Sequence, residues 1–252
     1  MPQLPWGLAP WWLWITLIGG RTSGPSIVID LPAHRLELLD SGRVIHVYPV
    51  AIGDTAYPTP IGGFVTRRVV WDPSWIPPAG EPWARDRHPE PPGPDNPMGP
   101  VKLPLGGGYF IHGTPRTLKD AGAPTHGCVR LGNRDVMELA HYLEIAAGPP
   151  GAAEFAAPAG AASVRLAIPV PVQIRYDLVE IRHRRIIAHP DPYGRRTATT
   201  DSVATAALIG AGLPVERARC VVTALLDSAR VHSVSVPLRS LAQLTGWPQC
   251  SG

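Results

Sequence analysis

The sequence predicts a mainly β fold, sandwich-like in its main domain, with one helix there and a small α/β unit at the C-terminal end. Its 31 prolines and 26 glycines are scattered among 252 residues, which favours short strands joined by turns over a helical bundle. The segment SIVIDLPAHRLELLDSGRVIHVYPVAIG (residues 26–53) alternates apolar and polar side chains and carries turn-forming residues at 40–42. It therefore predicts two or three antiparallel strands.

Two further strands and a long loop are expected next. GGFVTRRVVW (62–71) and YFIHG (109–113) are typical of strands. The segment from residue 71 to 100 is so rich in proline that neither a strand ladder nor a helix is expected. It also carries Trp71, Trp75 and Trp83, which predicts a functional lid with exposed aromatic side chains.

One helix is predicted near the middle of the chain. Asn133 is a candidate N-cap, Asp135 suits the positive end of a helix, and apolar residues recur at helical spacing up to Leu143. The helix should end by Gly148, where Gly-Pro-Pro begins.

Composition predicts five segments along the chain. They are a signal-like or anchoring segment (1–24), a main domain (25–147), a Gly/Ala/Pro linker (148–163), a β-hairpin extension (164–196) and a small α/β appendage (197–252). Within the first segment WWLWITLI is too short to cross a bilayer as a helix but has the length of a signal-peptide core. A buried N-terminal strand is the alternative, because no Lys or Arg precedes the apolar run.

Charge and hydropathy exclude some classes of protein. Only 17% of residues are charged and 44% are hydrophobic, which argues against disorder over most of the chain. The net charge of +3 comes from arginines spread along the sequence, so nucleic-acid binding is not indicated.

The strongest chemical signal is the cysteine in APTHGCVRLGN. Cys128 has His126 two residues before it and His112 on the preceding predicted strand, so either imidazole is a candidate base for the thiol. Gly127 lets backbone N–H groups turn toward a developing oxyanion, and Arg130 is suited to hold a substrate carboxylate. The pattern indicates acyl transfer by a thiolate.

The same residues are also compatible with a structural role or with a metal site. A cysteine or histidine taken singly is more often a buried structural residue. A zinc site built on His112, His126 and Cys128 is the more specific alternative to the catalytic interpretation. However, the sequence offers no obvious fourth ligand and no CxxC or HExxH motif.

IHGTPRTLKDAGAPTHGCVRL resembles the signature of the L,D-transpeptidase catalytic domain, or YkuD domain, and of its ErfK/YbiS-like envelope branch in particular. The resemblance extends over the opening strands, YPTPIGGFVTRRVV, PSWIPP and PPGPDNPMGP, and in all covers residues 26–143. It implies a β-sandwich catalytic domain with one helix after the nucleophile. The segment after residue 196 lies outside it, and there a Cys220–Cys250 disulfide is one arrangement that would leave Cys128 free.

The resemblance also implies residue roles and an activity. Cys128 matches the nucleophile, His112 the base, Gly113 the carbonyl that orients His112, and Gly127 the centre of the motif. The substrate-binding positions implied are Thr125, His126 and Arg130, to which Trp75 of the predicted lid is added.

The implied reaction attacks the bond between diaminopimelate and D-alanine in a peptidoglycan stem tetrapeptide. The acyl group then passes to an amine of another stem or of an envelope-protein lysine, and the enzyme is acylated by carbapenems. Water as acceptor (an L,D-carboxypeptidase) and a non-catalytic wall-binding module are the alternatives. No metal or organic cofactor is expected, the location is periplasmic or extracytoplasmic, and membrane contact is expected only through the N-terminal segment.

Overall fold

A computed structural model describes residues 23–115, 125–149, 162–210 and 212–238. Its main element is one eight-stranded sheet, with the strand order β3-β2-β1-β8-β4-β5-β6-β7. The strands are β1 (Pro25–Asp30), β2 (Arg35–Asp40), β3 (Arg43–Pro49), β4 (Gly62–Trp71), β5 (Val101–Gly106), β6 (Tyr109–His112), β7 (Val129–Arg130) and β8 (Ala162–Arg175). The β1–β8 and β6–β7 pairs are parallel, and the other neighbours are antiparallel. The predicted mainly β fold class is confirmed.

The first three strands form where the alternating pattern predicts them. β2 and β3 meet at the turn of Ser41 and Gly42, both of which have positive φ. Leu36 and Leu38 alternate toward the core, as a half-buried strand requires. By contrast β5 is not apparent from the sequence, because Pro104 lies in its middle and removes one backbone donor.

The sheet curls so that its two edge strands approach each other. After β3, Ala51 exchanges backbone hydrogen bonds with Arg130 of the opposite edge strand β7. One residue pair further on, the N–H of Thr125 donates to the carbonyl of Ile52. The Thr-His-Gly-Cys motif is thus held by backbone contacts on both sides. One side lies against β6, and the other lies against residues 51–52.

One helix, α1 (Asn133–Ala147), covers the inner face of the sheet. Its apolar side packs into the main core through Val136, Leu139, Ala140 and Leu143. The indole N–H of Trp71 on β4 donates to the Glu144 carboxylate at 2.6 Å, which ties the helix to the sheet. The N-cap position is Gly132 and has no side-chain cap, so Asn133 is the first helical residue rather than the cap that the sequence suggests.

The predicted boundary at residues 147/148 does not match the sheet. β8 lies between β1 and β4 at the centre of the main sheet, whereas the sequence places residues 164–196 in a separate hairpin extension. The reason is that β8 buries Val170, Val172 and Ile174 in the main core. The hairpin itself exists as β9 (Val179–Arg182) and β10 (Arg185–Ala188).

A second, smaller core follows at the C-terminal end. The hairpin pairs with β11 (Val234–Pro237) into a three-stranded sheet, and α2 (Ala198–Gly210) and α3 (Val215–Ser228) pack with it around Leu208, Val222 and Leu225. This matches the small α/β unit expected there. Cys220 is disulfide-bonded and Cys128 is free, while Cys250 lies outside the described residues.

The predicted N-terminal segment 1–24 and linker 148–163 fall largely outside the described residues. Among the helices that are described, none is long and apolar enough to cross a membrane.

Candidate active site

The candidate residues lie on the outer face of the sheet, defined here as the face opposite α1. Ile111 on β6 and Val129 on β7 pair with each other and point into the core. Because side chains alternate along a strand, His112 and Cys128, their neighbours in sequence, face the other way. In the parallel register His112 is opposite Arg130. Cys128, two residues before Arg130, is therefore opposite Phe110, which is two residues before His112 on β6.

His112 is fixed by its own backbone neighbour. The side chain is only 4% exposed, and its Nδ1 lies 2.6 Å from the carbonyl oxygen of Gly113. Since a carbonyl only accepts, Nδ1 carries the proton and Nε2 is the basic nitrogen of the neutral ring. Burial lowers the pKa of His112 to about 4, helped by the positive charges of Arg130 and Lys102 and opposed by backbone hydrogen bonds to Gly113 and Met98.

Cys128 is partly buried, and its thiol is the neutral form at rest. Burial raises the pKa of Cys128. A backbone hydrogen bond from Phe110 and the positive charges of Arg130 and Lys102 act in the opposite direction but do not outweigh burial. The sequence pattern indicates a thiolate nucleophile. The structure differs because withdrawing the sulfur from water favours the neutral thiol.

The turn before Cys128 has a specific backbone shape. The hydroxyl of Thr125 donates to the carbonyl of Cys128 at 2.5 Å and closes the turn. Gly127 has φ of +94°, and a Cβ there would lie 2.6 Å from the ring of Tyr109. Both the dihedral angle and the close ring exclude a side chain at this position.

Aromatic side chains cover one side of the motif. The exposed ring of His126 stacks on Trp83 with centroids 3.7 Å apart, and Tyr57 approaches it edge-on at 4.9 Å. Trp83 and Tyr57 are therefore site residues that the sequence does not reveal as such, although Trp83 lies in the segment for which it predicts a lid. A proline-rich segment does not indicate which of its tryptophans will turn inward.

Of the three predicted lid tryptophans, Trp71 is not exposed. It is 2% accessible and belongs to the main core, which corrects the expectation of an exposed side chain. Trp75 is half-buried, and its backbone pairs with Glu90. The contacts around His126 are made by Trp83 and Tyr57, so a substrate-binding role for Trp75 stays a prediction.

Two cations flank the thiol. Arg130, half-buried on β7, lowers the pKa of both His112 and Cys128 by its charge. Lys102 on β5 is directly opposite His112 and lies 5.1 Å from the Phe110 ring centroid. The alternation of Val101, Lys102 and Leu103 is the signal that would have placed this lysine on the outer face.

Within the described ranges, no group of three or more His, Cys, Asp and Glu side chains is arranged to hold a metal ion. In particular, the ring of His126 is engaged with aromatic neighbours. Proton transfer and nucleophilic attack at the thiol are the chemistry that this arrangement supports.

The fold and the site define a mainly β protein with a cysteine–histidine site on the outer face of its sheet. Residues 24–174 match the family model of the L,D-transpeptidase catalytic domain, YkuD. This match covers more than half of the chain, and the chain belongs to that family.

Individual relatives are similar over about half of the chain. "Probable L,D-transpeptidase YbiS" of Escherichia coli strain K12 is 36% identical over 134 residues, which cover 49% of this chain and 43% of that protein. "Probable L,D-transpeptidase ErfK/SrfK" of Salmonella typhimurium is 31% identical over 140 residues, or 51% and 44% of the two chains. The match thus spans less than half the length of these curated relatives. A solved L,D-transpeptidase from Mycobacterium smegmatis is 17% identical with a TM-score of 0.42, and the likeness covers 61% of this chain and 59% of that one.

Proposed function

We propose that the protein is a peptidoglycan L,D-transpeptidase whose nucleophile is Cys128. The observation that carries the proposal is the arrangement of the site within a chain of this family. The thiol lies beside β6, and the neighbouring His112 is held as the neutral Nδ1–H tautomer by the carbonyl of Gly113. A neutral thiol and a neutral imidazole form a pair that exchanges its proton during attack.

The acylation step follows from these roles. Sγ of Cys128 attacks the diaminopimelate carbonyl carbon of the donor stem while Nε2 of His112 accepts the thiol proton. Backbone N–H groups at the Gly127 turn stabilise the oxyanion, and Arg130 binds a substrate carboxylate. The tetrahedral intermediate collapses to a thioester, and D-alanine leaves as an amine that takes the proton from His112.

The second step regenerates the thiol. An acceptor amine attacks the thioester carbonyl, His112 accepts a proton from it, and Cys128 leaves and is reprotonated. The acceptor is an amine of a second stem or of an envelope-protein lysine, which forms a cross-link or anchors a protein. Thr125 maintains the turn, and His126 with Trp83 and Trp75 binds the substrate beside the thiol.

The proposed location follows from the substrate. Peptidoglycan lies outside the cytoplasmic membrane, so we place the enzyme in the periplasmic or extracytoplasmic space. The apolar segment before residue 24 is proposed to direct or anchor it there.

D-alanine release from a diaminopimelate tetrapeptide tests the proposal. Wild type should release D-alanine, and Cys128→Ala should release none. Mass analysis of the products with and without an added stem amine separates the acceptors: a new amide indicates transpeptidation, and a tripeptide alone indicates the carboxypeptidase alternative. An intact fold with no D-alanine release by wild type would contradict both enzymatic functions and favour the wall-binding alternative.

A further inference from the structure

A tyrosine of the C-terminal unit contacts a loop that lies beside the candidate active site. The hydroxyl of Tyr193 accepts a hydrogen bond of 3.1 Å from the backbone N–H of Thr59. The two residues are 134 positions apart in the sequence, and Tyr193 lies beyond residue 174, where the family match ends. Because Thr59 is only 1% exposed, its N–H depends on a protein acceptor rather than on water.

Residues 53–59 form a loop, named here the 53–59 loop, that Thr59 closes. The N–H of Gly53 donates to the hydroxyl of Thr59 at 2.8 Å, and this contact is buried. A Cβ on Gly53 would lie 2.7 Å from the backbone nitrogen of Thr59, so the two ends of the loop pack together without room for a side chain. The position of Thr59 therefore fixes the position of Gly53.

The 53–59 loop lies in turn against the Gly127 turn. A Cβ on Gly53 would also lie 3.0 Å from the Cα of Gly127, which shows how closely the two backbones approach. The N–H of Asp54 donates to the carbonyl of Thr125 at 3.1 Å. In the proposed mechanism this turn presents the N–H groups that stabilise the oxyanion, so a displacement of the loop displaces those donors.

Tyr193 is itself held in place by the C-terminal unit. Its ring stacks on Tyr176 with centroids 5.7 Å apart, and its N–H donates to the Tyr176 hydroxyl at 3.0 Å. That hydroxyl donates to Asp191, whose carboxylate also accepts the N–H of Arg196 at 2.7 Å. The guanidinium of Arg196 pairs with one carboxylate on α2 and one on α3. The position of the Tyr193 hydroxyl therefore depends on the folded C-terminal unit.

We propose that Tyr193 is a positioning residue for acyl transfer at Cys128. Its hydroxyl fixes the 53–59 loop, and the loop fixes the oxyanion-binding N–H groups of the Gly127 turn. The inference rests on the proposed function and gives the C-terminal unit, which lies outside the family match, a role in the reaction. Tyr193 acts through the loop, so its effect is confined to steps in which negative charge develops on a carbonyl oxygen.

The test compares wild type with Tyr193→Phe, which keeps the aromatic ring but removes the acceptor of the Thr59 N–H. Carbapenem acylation of Cys128 and D-alanine release from the tetrapeptide should each slow roughly 5- to 30-fold, because displaced donors stabilise the oxyanion less well. Alkylation of Cys128 by iodoacetamide forms no oxyanion and should change less than about twofold. The control Tyr142→Phe removes a hydroxyl from α1 that interacts with Asp40, and it should match wild type in all three rates.

A second variant tests the same path from the side of the loop. Thr59→Val removes the hydroxyl that accepts from Gly53 and should slow acylation selectively, as Tyr193→Phe does. Because the two contacts act in series, the double variant should be no more than about twofold slower than the slower single variant. Losses that multiply in the double variant would contradict transmission through the loop. Urea unfolding of each variant verifies that it is folded.

Failure of the inference differs from failure of the proposed function. If wild type and Tyr193→Phe are acylated and release D-alanine at the same rates, the positioning role is wrong and the proposed function stands. If alkylation slows as much as acylation, the hydroxyl only supports the fold and the positioning role is again wrong. If wild type neither reacts with the carbapenem nor releases D-alanine, the proposed function fails and the inference fails with it.

Discussion

The side chain of His112 shows how one residue's backbone neighbour sets its chemistry. Its carbonyl contact with Gly113 fixes the tautomer, and its burial keeps the ring neutral. Because the pKa of His112 is lowered to about 4, the basic form persists down to mildly acidic pH. An unperturbed histidine is half protonated near pH 6.5.

Replacing this histidine should separate catalysis from folding. His112→Gln is expected to lower kcat/KM for D-alanine release by about 100-fold or more, because in the proposed mechanism His112 is the base that accepts the thiol proton. The exposed His88→Gln is the matched control and should retain wild-type activity. In wild type, the acidic limb of kcat/KM should lie near pH 4 to 5. A limb centred near pH 6.5, or an active His112→Gln variant, would contradict the assignment.

The sequence predicts these candidate residues but not their surroundings. The Cys, His, Gly and Thr positions are proposed because their types and order resemble the family signature. The stacking of Trp83 on His126 and the place of Lys102 opposite His112 depend on strand register, which the local sequence does not encode. For the same reason the raised pKa of Cys128 is unexpected, since burial of the thiol arises from packing.

At the scale of elements, β4 and α1 contact each other on the inner face of the sheet. This contact supports the sheet whose outer face carries the candidate site. Trp71 ends β4 inside the core, and its indole N–H donates to Glu144, which is 7% exposed. The strand bounds of β4 are those expected from the sequence, while the inward orientation of Trp71 is not. Its position next to a run of prolines suggests a loop residue, yet the alternation of Val69 and Trp71 places it in the core.

Removing the indole donor should destabilise the fold. Trp71→Phe leaves the Glu144 carboxylate buried without this partner, and we expect a loss of about 1–3 kcal/mol in the free energy of unfolding by urea. Trp75→Phe is the comparison and should change stability by less than about 0.5 kcal/mol, because Trp75 is outside the core. Equal effects of the two substitutions would contradict a stabilising role for the contact between Trp71 and Glu144.

At the scale of the molecule, charged side chains join the two sheets. Arg35 of β2 binds Glu180 of β9 through two hydrogen bonds of 2.8 and 2.7 Å, and Arg182 pairs with Glu37. Burial opposes ionisation of Glu180, but hydrogen bonds from His189 and Arg35 outweigh it and lower its pKa to about 2. Sequence patterns predict both units but not this junction, whose partners are 145 residues apart.

Asp30 lies at the same junction and titrates in the opposite sense. Burial and the nearby charge of Asp177 raise the pKa of Asp30 to about 7, although the positive charge of Arg35 acts to lower it. Between pH 4 and 7 the folded state therefore holds a proton that the unfolded state has released, so this residue's contribution to stability decreases as pH rises.

The Asp30→Asn variant should remove that dependence. Relative to wild type, its free energy of unfolding should gain up to about 4 kcal/mol between pH 4 and 8, following the shift of roughly three pKa units. The exposed Asp86→Asn should track wild type across this range. A pH-independent difference between Asp30→Asn and wild type would contradict the raised pKa.

The most direct measurement is intact-mass analysis, with peptide mapping, of wild type and Cys128→Ala after exposure to a carbapenem and to the tetrapeptide. The proposed function predicts one stoichiometric adduct, mapped to Cys128 and absent from Cys128→Ala, together with D-alanine release by wild type alone. An adduct at another residue, or equal labelling of folded wild type and Cys128→Ala, would contradict the claim that Cys128 is the nucleophile.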